Sequence, residues 1–219
     1  MSDFDLLFAL LSLLLGLSIA ELLAGFARVL RLQARQRAAA KGALRIDEAD
    51  DAPPPVRIGW LVPLLGAYVL LDQLSFFTAA FAFRDGLSAN LFTLTAITVV
   101  VGGYYLVATL VFPDDPGDWP DFDRYYDEHN RLILGFALFS ELAQFTLSMA
   151  VRQVHRAEDT VAFGANPVLT WVAVGLTFAT IPLLIAAYRA KRRRLNAVLL
   201  ALLVGSRLAM VGLSPVLMP

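Results

Sequence analysis

LNAVLLALLVGSRLAMVGLSPV, residues 195–216, runs for six helical turns on apolar side chains and carries one charge, Arg207. A helix that crosses a bilayer needs about 20 mostly apolar residues. A surface helix of a soluble domain would show a polar face along that length. A charge at the centre of a spanning helix costs about 2.5–3.5 kcal/mol on insertion scales, so such a residue faces a partner inside the bundle. The stretch therefore reads as a membrane helix with an internal ion pair.

Five other stretches have the same character: about 4–30, 58–83, 89–112, 131–151 and 167–188. Lipid offers the backbone no hydrogen bonds, so each is expected to be helical. The alternating pattern of a barrel strand is absent from the sequence. Composition agrees. The chain has 219 residues, 58% hydrophobic and 17% charged, against about 45–50% and about 25% in soluble domains. The expectation is an all-α polytopic membrane protein: a single domain over 1–219, built as a bundle of six transmembrane helices. The first segment begins with Asp3 and Asp5 and no base, so it is expected to stay as helix one and not to serve as a signal peptide.

Lys and Arg counts predict orientation. The connections after helices one, three and five carry fourteen bases, and the others carry Arg84, Arg152 and Arg156. Both termini are expected outside, with the large loops cytoplasmic, in a bacterial inner membrane. The loop at 31–57 reads as flexible. Its basic, Ala-rich start can extend helix one to about Leu44. Asp47, Glu48, Asp50 and Asp51 then lead to Pro53-Pro54-Pro55, an extended spacer.

The loop from Pro113 to Asn130 is acidic and aromatic. Asp118 is placed to cap a short interfacial helix starting near Pro120, with Trp119, Phe122 and Tyr126 on one face. A cation site from Asp114, Asp115, Asp118 and His129 is the competing reading, but the spacing is not an EF-hand. Pro63 and Pro182 are candidate kinks. Phe8 to Ser12 and Phe136 to Ser140 share a short pattern, the one sign of an inverted repeat.

Glu21, Asp72, Glu141 and Arg207 lie inside predicted spans, with Tyr68 and Gln144 one turn from Asp72 and Glu141. Depth follows from about 1.5 Å per residue. From the basic end, Asp72 lies about 21 Å deep, Arg207 about 20 Å, Glu141 about 15 Å and Glu21 about 10 Å. Asp72 and Arg207 match best, and Glu141 is within reach of a long Arg side chain. Three acids against one base leave at least one carboxyl to be protonated, hydrated or cation-bound. Glu141 and Glu21 are the candidates. This polar cluster suggests a small proton- or cation-linked transporter or channel. The alternative is a non-catalytic scaffold or assembly subunit that binds a protein partner or itself.

Several chemistries are excluded. There is no cysteine. His129 and His155 are the two histidines, at loop ends on opposite sides, which argues against a buried bis-His haem. Zinc-protease, nucleophile-elbow and P-loop motifs are absent, and no predicted span holds a lysine for retinal. No cofactor or metal is expected. The net charge of −1 suggests no nucleic-acid partner. An enzyme acting on lipid through headgroup-level carboxylates is the third reading.

In layout the chain resembles small uncharacterised multi-pass proteins of bacterial inner membranes. The features that carry this are the Phe4-to-Arg31 helix with Glu21-Leu-Leu-Ala-Gly25, and the Tyr125-Tyr-Asp-Glu-His-Asn-Arg131 lead into helix four. The resemblance implies architecture and location and carries no activity.

Overall fold

The computed structural model describes residues 3–41, 56–82, 90–115, 118–155 and 167–217. Among them the chain forms six helices: α1 (Asp3–Ala40), α2 (Leu61–Ala82), α3 (Leu91–Val111), α4 (Phe122–His155), α5 (Pro167–Arg189) and α6 (Arg193–Leu217). Four of them, α1, α2, α3 and α6, are long and apolar enough to cross a membrane. The protein is all-helical among the described residues, with one isolated backbone bridge between Arg57 and Asp121.

Helix α2 lies at the centre and touches α1, α3, α4 and α6, while α5 packs between α4 and α6. Its sequence suits that place: Leu61, Val62, Leu65, Tyr68, Val69 and Asp72 are all buried. The outer faces carry large apolar side chains, among them Leu13, Leu91, Phe92, Leu106 and Leu132. Apolar exposure on this scale marks a surface that meets something other than water. For helices this apolar, that something is lipid.

One end of the bundle is tied by its loops. Gln36 Nε2 on α1 donates to the Val56 carbonyl at 3.2 Å. The Arg57 N–H donates to the Pro120 carbonyl at 2.8 Å, and the Phe122 N–H returns a bond to Arg57 at 3.0 Å. Arg193, at the start of α6, reaches Asp121 at 3.0 Å and Asp127 at 2.8 Å. The connections α1–α2, α3–α4 and α5–α6 therefore meet at the same end. The extension of helix one that the basic segment predicts is present as far as Ala40; the acidic and triple-proline part at 42–55 lies outside the described residues.

Phe112, just past the end of α3, anchors this end. Its ring fills a slot where Gly25 of α1 and Gly66 of α2 have no side chain: a Cβ on either would meet that ring. Phe26 packs edge-on at 4.8 Å. Phe112 itself is buried.

Three local expectations need correction. The interfacial helix is not a separate element, because one continuous helix runs from Phe122 to His155. Asp118 does not cap it. The Arg57 bridge holds Asp121 in extended pairing, so the helix starts at Phe122, and Asp121 Oδ1 accepts the Asp123 N–H at 3.0 Å. Phe122 and Tyr126 are buried in the core, while Trp119 is half-buried and stands edge-on to Tyr125 at 5.0 Å. Pro63 sits in the first turn of α2, where a missing N–H removes no helical bond. Pro182 lies inside α5.

Asp121 thus serves the cap and the Arg193 pair together. Asp121→Ala is expected to lower stability by about 0.5–2 kcal/mol, the range for a lost N-cap. Thermal unfolding in detergent checks this, and Asp121→Asn, which keeps a capping oxygen, should lie between the two.

Candidate functional site

Midway along the bundle, four helices turn polar groups toward one another. Asp72 of α2 and Arg207 of α6 pair at 2.7 Å. Arg207 also pairs with Glu141 of α4. The Tyr104 hydroxyl of α3 donates to the other Asp72 oxygen at 2.6 Å and shares a short hydrogen bond with Ser140 of α4. Asp72 is 1% exposed, Glu141 6% and Arg207 7%.

The helices bring these groups together by register. Glu141 follows Ser140 directly, so α4 presents a hydroxyl to α3 and a carboxylate to α6 from adjacent positions. Tyr68 precedes Asp72 by one turn and places a buried hydroxyl beside Arg207. Arg207 Nε is buried without a hydrogen-bond partner among the described residues. Beside the cluster, Gln73 donates to Ser18 of α1 at 2.8 Å, which extends the polar layer to a fifth helix.

Glu21 stands apart from this group. It pairs with Arg28, two turns on along α1, at 2.9 Å, and both side chains are part-exposed. That pairing changes the charge count. Arg207 faces two carboxylates instead of three, and the cluster carries a formal charge of −1 when both are ionised. Gln144 lies on α4 one turn after Glu141; its side chain is outside the described ones.

Sequence reasoning did not single out Tyr104 or Ser140 as partners of the acids. Tyr104 follows Gly102-Gly103, a setting that suits either the lining of a cavity or aromatic packing over the glycines. Packing does occur there: Phe136 occupies the space beside Gly103 and meets the Tyr104 ring at 5.6 Å. Helical depth does not find the pair either: Tyr104 lies seven residues before the end of α3, about 10 Å from the basic end, whereas Asp72 reads as twice as deep.

The acidic loop does not assemble a cation site. Asp114 and Asp115 are exposed, and His129 stacks on Tyr125 at 4.2 Å with Nδ1 against the Tyr125 carbonyl at 3.0 Å. Asp118 lines an open surface cavity of about 420 Å³ with Trp119, Pro120, Arg124 and Glu128. No group of three or more metal-ligating side chains occurs among the described residues. Burial pushes the Tyr125 phenol up to about 12, and the negative charge of Asp114 adds to this. The hydroxyl therefore keeps its proton and donates to the Leu110 carbonyl at 2.8 Å, which closes the end of α3.

Comparison with known proteins adds no relative: no family model, curated protein or solved structure matches this chain.

Proposed function

We propose that this chain is an integral protein of a bacterial cytoplasmic membrane, with six spans and both termini outside, that moves a proton or small cation through the Asp72–Arg207–Glu141 group. The observation that carries the reading is the one base held between two buried acids. A buried net charge is costly. The group lowers that cost by taking up one positive charge, and it can release that charge where water or a gradient reaches it. The loop arrangement supports the orientation, because the basic connections gather at one end, as the cytoplasmic side requires.

A second reading rests on a specific observation. Asp72, Tyr104, Ser140, Glu141 and Arg207 tie α2, α3, α4 and α6 into one hydrogen-bonded and ion-paired knot. Such a knot also suits a scaffold whose task is to hold a surface for a protein partner or a second copy.

Flux measurements separate the two. Purified protein in proteoliposomes, with an internal pH dye and imposed pH, Na⁺ or K⁺ gradients, should move protons. Asp72→Asn and Glu141→Gln should each reduce that flux at least tenfold, while Glu21→Gln leaves it within about twofold. Folded wild type that moves no ion under any gradient overturns the transport reading in favour of the knot.

A further inference from the structure

We infer that the single proton of the buried acid pair resides on Glu141, and that Tyr104 is the positioning residue that keeps it there by holding Asp72 ionised. The inference deepens the proposed function and rests on its reading of the cluster as a proton-binding group.

The two carboxylates are not equivalent. Asp72 receives two donors, one on each oxygen: Arg207 at 2.7 Å and the Tyr104 hydroxyl at 2.6 Å. Hydrogen bonds donated to a carboxylate favour its charged form. Glu141 shares the same guanidinium as its ion-pair partner but has no counterpart of the Tyr104 hydroxyl among the described contacts. Arg207 has one charge to give, and its geometry toward Asp72 is that of a charge-assisted hydrogen bond. The acid with fewer donors takes the proton.

Access points the same way. A group that exchanges a proton needs a route to water, and Glu141 is the shallower of the two from the basic end. The step itself is simple. A proton from solvent adds to one Glu141 oxygen, the carboxylate becomes a neutral acid, and the cluster goes from −1 to zero.

The surroundings add no competing charge. Helix α2 contributes Asp72 and Tyr68, α3 contributes Tyr104, and α6 contributes Arg207. Helix α5 has no charged residue between Pro167 and Tyr188. On α1, Glu21 and Arg28 neutralise each other.

Simple neutralising variants do not decide which acid holds the proton. Asp72→Asn frees Arg207 to pair with Glu141, so the proton leaves in either case. Infrared spectroscopy with selective labelling does decide. Wild-type protein would be prepared with ¹³C in the side-chain carboxyl of glutamate alone, or of aspartate alone. The carbonyl stretch of the protonated acid is expected to shift with labelled glutamate and stay in place with labelled aspartate. It should vanish in Glu141→Gln and persist in Glu21→Gln.

Tyr104→Phe removes a donor from Asp72, and part of the band should then become sensitive to labelled aspartate. A purely packing role for Tyr104 would leave the labelling pattern unchanged and overturn its assigned role. A band that shifts only with labelled aspartate in wild type overturns the assignment to Glu141 but leaves one proton on the pair. No acid band in either preparation overturns both the assignment and the proton-binding reading. A glutamate band in protein that moves no ion leaves the assignment standing and removes transport.

Discussion

Arg207→Met is expected to destabilise the protein by about 3–5 kcal/mol, the usual loss when one partner of a buried ion pair is removed. The methionine fills much of the volume, so the effect reports the charge. Asp72 and Glu141 would be left facing each other at 1% and 6% exposure with no base between them. The defect should shrink at acid pH, where both carboxyls can be neutral. Adding Asp72→Asn and Glu141→Gln to Arg207→Met should recover more than half of the loss, because no buried charge then remains. Reversible unfolding in mixed micelles measures all three proteins. A single variant as stable as wild type would show that Arg207 is not the counter-ion of this cluster.

Phe112→Ala is expected to cost about 3–5 kcal/mol, as for other buried aromatic truncations. The reason lies in the slot. Gly25 and Gly66 offer no atoms to refill the space, and Phe26 would lose its edge-on partner. Phe112→Leu should recover about half. The same unfolding measurement checks it, and a loss below about 1 kcal/mol would mean that α1 and α2 close over the gap.

The sequence makes the helices legible and the cluster partly so, for physical reasons that differ. Long apolar runs state their own length, and the six helices fall on the six runs. Four of them meet the length and hydropathy of a membrane span by themselves. Helix α4 begins with Asp123, Arg124, Asp127 and Glu128, and that polar start merges into the apolar part without a break. Helical rise put Asp72 and Arg207 at nearly the same depth, and they are in contact. Depth cannot give rotation about the axis. Glu21 therefore reads as a member of the group until its bond to Arg28 is seen. The Tyr104–Asp72 bond and the Arg57–Asp121 bridge join residues 32 and 64 positions apart along the chain. No local periodicity records pairings of that kind.

The Gln36–Val56 bond has a consequence for chain length. It joins the described residues on either side of 42–55, and the Arg57 bridge fixes the far side to α4. Both flanks of that segment are thus held, Gln36 to Val56 and Arg57 to Asp121. The entropy of closing a loop between fixed ends grows only logarithmically, by about 0.6 kcal/mol for each doubling of a flexible loop. Read from its sequence as a flexible linker, the stretch between the two anchors is expected to accept insertions at about that small cost, whereas losing either anchor would cost the closure itself.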